Sequence, residues 1–513
     1  MRFHRESKRD TYDAIVVGAG IGGLTAASLL ARAGRRVLVV ERHDRTGGYA
    51  HSFRRSRYLF DSAVHMVGGC GPSGREGEGL LFRLLDTLGA GDRCVFRPID
   101  PCYTAYYPDL RISAPTGLEE FVRAHLAEFP REEKGLRQLV QDCVNIRTEI
   151  SAAGDLASPF DVMRHPTRFP TLLPYRRATL ADAMDAHLSD PQLKALFGTL
   201  WPYLGLPPSR VSFLYWATML LSYVQDGTYY CRGSFQSFAN ALADAVEERG
   251  GEVLLRSPVR RIRVEGGEVR GITLENGQRI EAPLVISNAD LTQTVEELVG
   301  TSAFPRRFVR TLQRLTPSVS AFVVYAATDL DLTHFDASHE SFLYRTWDHD
   351  ESYRAVLAGE PSWVTATIPT LSDPTLAPRG EHLMILTTLV PTTPTRHWGD
   401  EKERFTQAML RAADERFPGL TSRLTFAEGA TPRTMERYTR NTDGAIYGWA
   451  VSPGQVGPGR PANRTPIRGL LLAGHWTQPG GGVYGVVTSG VGAAREALGF
   501  TRDAELWKAL AEA

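Results

Sequence analysis

The sequence predicts an α/β fold in which a parallel-sheet domain is assembled from separated stretches of chain and interleaved with a second, α+β domain. Three observations predict it. Near the start, an apolar run leads into a GxGxxG glycine loop and a small-residue helix. Near the end, a second apolar run leads into a glycine-dense loop and another small-residue helix. Between them, a helical segment and a series of strands finish in a third apolar run.

The first stretch begins at Asp13-Ala14-Ile15-Val16-Val17, a short apolar run of the kind buried in a parallel sheet. Gly18-Ala19-Gly20-Ile21-Gly22-Gly23 follows at once, then a helix over Leu24 to Ala33 stopped by Gly34, and a second strand, Val37 to Val40, closed by Glu41. This order is the dinucleotide fingerprint. Gly18 makes the tight turn, Gly20 brings the backbone close to a pyrophosphate, and Gly23 lets helix and strand pack closely. The helix N-terminus offers free N–H groups and a positive dipole end to phosphate. Glu41 is placed for ribose hydroxyls, and its charge would repel a 2′-phosphate.

In the middle, Phe235, Phe238, Leu242 and Val246 repeat at helical spacing over Ser234 to Glu248. A strand series starts at Glu252-Val253-Leu254-Leu255, turns at Gly266-Gly267 and at Asn276-Gly277, and closes at Leu284 to Asp290. Asn288 and Asp290 read as helix caps. At the far end, the strand Leu470 to Ala473 enters Gly474-His475-Trp476-Thr477-Gln478-Pro479-Gly480-Gly481-Gly482-Val483-Tyr484-Gly485, and a helix runs to about Leu498.

Composition narrows the function. The 513 residues carry 58 Lys+Arg against 58 Asp+Glu, so no net charge attracts a nucleic acid. Five scattered cysteines form no CxxC pair or metal-ligand spacing, which points to free thiols, a reducing cytoplasm and no metal. Met1 to Asp10 is polar and basic, unlike a signal peptide. The longest apolar stretch, Val211 to Val224, is too short to cross a membrane. The helical face Leu118, Phe121, Val122, His125, Leu126 and Phe129 reads as core, or as a surface for peripheral contact with the inner face of a membrane.

A second glycine pair, Gly47-Gly48, follows the terminal acid. With it, Phe60-Asp61-Ser62-Ala63-Val64-His65, Leu371 to Pro378 and Ala473 to Gly485, the chain resembles the phytoene desaturase, carotenoid isomerase and retinol saturase family of FAD proteins, in the amine oxidase superfamily. The resemblance implies a discontinuous Rossmann-like FAD domain of the glutathione reductase type, from residues 1–94, 234–310 and 456–513. Residues 95–233, reading mostly helical, and 311–455, reading mostly strand, would form the substrate domain. Non-covalent FAD would be held by Gly18, Ala19, Gly20, Ile21, Gly22, Gly23, Glu41, Arg42, Gly47, Gly48, Val259, Asn288, Gly474, His475, Gly482, Val483 and Tyr484. The last helix would stabilise negative charge at flavin N1. Three departures stand out: Tyr49 where many relatives have Arg, His475 where many have Asp, and Cys231-Arg232 where relatives usually have a Pro and paired glycines.

The implied reaction is hydride exchange between flavin N5 and a carbon beside conjugated double bonds of a hydrophobic polyene: desaturation, saturation or isomerisation. Tyr203, Phe213, Tyr215, Trp216, Tyr223, Tyr229 and Tyr230 read equally as tunnel wall or as core. Candidates for the proton are His65, His475, Asp226, Tyr230 and Tyr484. Without a second complete GxGxxG, the electron acceptor or donor stays unidentified. Three other readings remain open: a polyene presented on an acyl-carrier protein, an amine oxidase, and a prenyl-lipid carrier that has lost its flavin.

Overall fold

Three- and four-residue strands cannot cover their own backbone polar groups, so the apolar runs are stable only as neighbours in one buried sheet. In the computed structural model, which describes residues 6–70, 79–154, 159–392 and 397–512, they form it. The strands are β1 (Ala14–Val17), β2 (Val37–Val40), β3 (Glu252–Leu254), β4 (Val285–Ser287) and β5 (Leu470–Leu472). Their order is β5-β4-β1-β2-β3, and each pair is parallel. Every residue of β1 and β2 is buried, as a sheet covered on both faces requires.

Four helices matter for the site: α1 (Ile21–Arg32), α2 (Phe213–Val224), α3 (Gln236–Glu247) and α4 (Val483–Leu498). Helices α1 and α4 pack together through small residues. A Cβ on Gly490 would fall 2.5 Å from the Gly22 carbonyl oxygen and 2.7 Å from Thr25. That closeness fixes the N-termini of both helices beside the carboxyl ends of β1 and β5.

The expected strand series divides in two. Glu252–Leu254 joins the parallel sheet as its edge, while the antiparallel meander starts later, as Val259–Glu265, Glu268–Leu274 and Arg279–Glu281. Burial explains the split, because β3 is buried throughout whereas the meander exposes part of its surface. The turn at Asn276-Gly277 forms, with Gly277 at φ +90°.

A seven-stranded sheet makes the second layer system. Its order is Leu424–Ala430, Ser320–Thr328, His382–Val390, Trp363–Thr367, Glu340–Tyr344, Tyr103–Tyr106 and Arg111–Ala114. Only the pairing of Glu340–Tyr344 with Tyr103–Tyr106 is parallel. Residues 95–233 therefore contribute strands as well as helices, including Phe96–Ile99 paired with Thr228–Cys231. Four-residue strands are too short to stand out by periodicity among longer helices. In the Leu118–Glu128 helix, Phe121, Val122 and His125 are buried, and Leu118, Leu126 and the following Phe129 pack on the same core. That face is interior, so it forms no membrane-docking surface. Among the described residues no helix is long and apolar enough to cross a membrane.

Candidate functional site

The two glycine motifs meet around one side chain. Asn288 leaves β4 with its backbone N–H donating to the Val17 carbonyl at 2.8 Å. Its carboxamide lies among Gly20, Gly22, Gly23 and Gly474. A Cβ on Gly20 would sit 2.7 Å from Asn288 Nδ2, and one on Gly474 would sit 2.5 Å from Oδ1. On Gly22 it would meet Oδ1 and the Gly474 backbone at 2.9 Å, and on Gly23 the Gly18 carbonyl oxygen at 2.3 Å. The glycines are thus required by one another and by Asn288, besides whatever ligand they face. Asn288 is not a helix cap, which corrects that reading. Asp290 is one, accepting from Gln293 N–H at 3.0 Å and from Thr442 N–H at 2.7 Å.

The Gly47-Gly48 pair packs on this cradle. Gly47 N–H donates to the Ala19 carbonyl at 2.8 Å, and a Cβ on Gly48 would lie 3.1 Å from Gly20 Cα. Gly47 and Gly48 have φ of +116° and +57°, conformations that favour glycine. Glu41, just beyond β2, accepts Ala19 N–H at 2.8 Å on one oxygen and His43 N–H at 2.7 Å on the other. These bonds hold the acid against the glycine turn. Helices α1 and α4 begin at Gly20 and Gly482, neither with a side-chain cap nor an acid in the first turn. Two uncapped helix N-termini are a standing invitation to an anionic ligand.

A single cavity of about 490 Å³ runs from this cradle into the space between the two sheets. Of the expected cofactor residues, Gly18, Gly20, Ile21, Gly22, Glu41, Arg42, Gly47, Gly48, Val259, Asn288, Gly474, His475, Gly482 and Val483 line it. Ala19, Gly23 and Tyr484 do not; the first two shape the turn behind it. Its other end is walled by Tyr203, Tyr223, Trp363 and Tyr447 together with Val64, Met66, Val323 and Leu389. Only Tyr203 and Tyr223 come from the seven expected aromatics. Phe213, Trp216, Tyr229 and Tyr230 are core, and Tyr215 Oη donates to the Gly481 carbonyl at 3.0 Å.

The five proton-transfer candidates are not brought together. His65 and His475 line the cavity. Asp226 instead holds Arg147 through both carboxylate oxygens, at 3.0 and 2.9 Å, outside the lining. Tyr230 Oη donates to buried Asp61 at 2.6 Å, and Tyr484 lies over Gly69 with 38% of its surface exposed. Asp226 and Tyr230 share a cause, each polar group being held by a structural partner far away in sequence, whereas the Tyr484 ring packs on Gly69.

Two groups that the sequence did not single out organise this region. Buried Arg460 donates to the carbonyls of Thr477, Trp449, Tyr447 and His475 at 3.0, 3.1, 3.2 and 2.6 Å. It so ties the loop before α4 to residues 447–449, and burial lowers its pKa to about 10. Glu340, fully buried, accepts the Thr367 hydroxyl at 2.6 Å and lies 3.4 Å from His65 Nδ1. Burial raises the Glu340 pKa to about 7 and lowers that of His65 to about 4. Nothing local marked either residue, since a single charge near a strand or loop is ordinarily solvated.

Burial of histidine also sets an acid limit to the fold. His65, His125, His349, His339 and His475 titrate at about 4, 4, 4, 3 and 3 because their charged forms are desolvated. The unfolded chain takes up these protons near pH 6.5 and the folded chain only near 4 or below, so stability falls as pH drops through that window. Asp61 and Glu340, raised to about 6 and 7 by burial, work oppositely, losing their contribution as pH rises through those values. The five rings outweigh them. The denaturant midpoint should therefore fall steadily between pH 6.5 and 4; a midpoint that held or rose would show these rings charged in the folded state.

A family model described as "Flavin containing amine oxidoreductase" matches residues 21–498. The chain is 29% identical to prolycopene isomerase 2, chloroplastic, of an Oncidium hybrid cultivar, over 96% of this chain and 86% of that protein. It is 26% identical to all-trans-retinol 13,14-reductase of Rattus norvegicus, over 90% of this chain and 82% of that protein. Among solved structures, cyclohexylamine oxidase from Brevibacterium oxydans superposes with a TM-score of 0.61 at 19% identity, covering 97% and 99% of the two chains. That last likeness concerns the fold.

Proposed function

Because this chain belongs to the flavin-containing amine oxidoreductase family, we propose that its cavity holds a long apolar polyene against a bound FAD and that the protein remakes a C=C bond of that polyene. FAD is the cofactor of the family, and the residues present fit it: two uncapped helix N-termini and the glycine cradle for pyrophosphate, with Glu41 held at the ribose position. On this reading, residues 1–94, 234–310 and 456–513 hold FAD non-covalently and residues 95–233 and 311–455 hold the substrate. Bound flavin supplies hydride exchange.

The observation that carries the substrate class is the cavity wall. The acids that line it, Glu41, Glu275, Asp290 and Glu297, belong to the cradle end, while the far end is aromatic and aliphatic apart from His65 and the hydroxyls of Thr365 and Thr387. A protonated amine placed there would lose its hydration with no carboxylate in the lining to replace it. A conjugated hydrocarbon loses nothing and gains aromatic contact. The curated relatives support the same class, one named as an isomerase of prolycopene and the other as a reductase of retinol. The walls also exclude water from the reacting carbons. His65 and His475, held neutral by burial, are the imidazoles of the lining at that end, each carrying one N–H proton at neutral pH.

The test offers purified, flavin-loaded protein a panel of cis polyenes, retinoids and primary amines, with and without a chemical reductant, followed by chromatography and a peroxide assay. A new isomer or a mass change of two hydrogens in a polyene is expected, with no peroxide from amines. Peroxide formed from amines, with every polyene returned unchanged, would overturn the proposal.

A further inference from the structure

Resting on that reading, a pair of buried groups goes beyond it. His65 lines the cavity, yet its Nδ1 makes no hydrogen bond among the described residues. Glu340 stands behind it, with Oε2 3.4 Å from that nitrogen and Oε1 buried without a well-formed hydrogen bond, the Tyr203 phenol lying close enough to favour the carboxylate. Leaving such atoms unsatisfied in a packed interior is costly, and a catalytic role is one of the reasons for which the arrangement is kept. The surroundings are fixed. His339, the residue before Glu340, donates through Nε2 to the His65 carbonyl at 2.9 Å, and its Nδ1 accepts from Ser372 at 2.7 Å. The backbone of His65 is thereby locked while its ring stays free.

We propose that His65 and Glu340 form a proton relay into the cavity, His65 meeting the substrate carbon and Glu340 supplying and recovering the proton behind it. When a carbon beside the one that receives hydride from two-electron-reduced flavin is protonated, the His65 Nε2–H bond breaks as the C–H bond forms. In the same event Nδ1 takes the proton of the Glu340 carboxylic acid, which is left as carboxylate. Withdrawal of a proton runs the sequence backwards. His65 is then a catalytic residue, and Glu340 is a positioning residue that acts through it.

Charge around the pair suits this use. The groups facing Glu340 are the Thr367 hydroxyl and the phenols of Tyr203, Tyr223 and Tyr447, with the neutral ring of His65; none is cationic. With Glu340 titrating at about 7 and His65 at about 4, the acid holds its proton and the imidazole is neutral between those values. Protonation of substrate is therefore favoured below about pH 7 and lost as pH rises through it.

Glu340→Gln, which keeps the shape of the protonated acid, tests the proposal by two readouts. Infrared difference spectra across pH 5 to 9 should show, beside the Asp61 band near 6 that both proteins share, a buried carboxylic acid band that titrates near 7 in the parent protein and is missing in the variant. Polyene turnover should fall on the order of 10²-fold and lose its alkaline limb. Thr367→Val removes a bond that favours the carboxylate, so it should move the limb and the band upward by about one pH unit. Absence of the band titrating near 7, or a Glu340→Gln profile identical to the parent, would overturn the relay while leaving polyene turnover intact. Failure of the parent protein to turn over any polyene would instead defeat the reading beneath it.

Discussion

Gly474→Val is expected to purify colourless, with flavin content below about a tenth of the parent value. Three constraints meet at this residue. Its φ of +95° lies where a β-branched side chain is strained. Its first side-chain atom would fall 2.5 Å from Asn288 Oδ1. Asn288 cannot withdraw, because Gly20, Gly22 and Gly23 enclose the same carboxamide. The displacement is therefore passed to the α1 glycine turn, where the pyrophosphate would be bound. Strain and overpacking of this kind cost about 1–3 kcal/mol each, enough together to empty the site. Gly91→Ala makes the control, since a Cβ there meets nothing within 4 Å, and it should retain its flavin. A yellow Gly474→Val protein with parental flavin content would show that the two glycine motifs do not share one site.

Arg460→Met is expected to be the most destabilising single change in the chain outside the apolar core. Methionine keeps much of the length and the packing, so the effect isolates the guanidinium. Its removal leaves the carbonyls of Tyr447, Trp449, His475 and Thr477 buried without that donor. A buried carbonyl left without its donor costs about 1–3 kcal/mol, and here four are affected together. The comparison is Arg464→Met: Arg464 is 76% exposed and pairs with Glu496 at the surface, and its loss should cost about 1 kcal/mol or less. Denaturant-induced unfolding of both variants gives the difference, and equal midpoints would contradict the account. Because the same loops wall the cavity, Arg460→Met should also lose flavin as the loop before α4 loosens.

What was legible in the sequence follows from how locally each feature is specified. The β1 turn, the α4 turn and the strands that feed them are written in contiguous residues, since backbone geometry at a glycine loop is a local requirement. Asn288 reads from the sequence both as a cofactor contact and as a helix cap, and the structure contradicts the cap. Its cap reading used the nearest helix, whereas the structure uses it as a plug between two glycine motifs from opposite ends of the chain. Glu340 and Arg460 were silent for the opposite reason: each looks like one more surface charge until tertiary packing buries it. Asp226 and Tyr230 lie outside the cavity lining because Arg147 and Asp61, their partners, lie on other segments. The aromatic cluster in residues 203–230 was read correctly as ambiguous. It divides between wall and core, and half of the aromatic wall, Trp363 and Tyr447, comes from residues 311–455.

The most direct measurement is a single turnover. Flavin-loaded protein in slight excess over one poly-cis carotenoid is mixed without oxygen, once with oxidised and once with chemically reduced flavin, and the pigment is extracted and resolved by chromatography with mass detection. One flavin redox state should convert the pigment, to an isomer of unchanged mass or to a product differing by two hydrogens. Gly474→Val should convert none, as the proposed function requires. Recovery of the starting pigment from both redox states, across carotenoids and retinoids of different length, would contradict it.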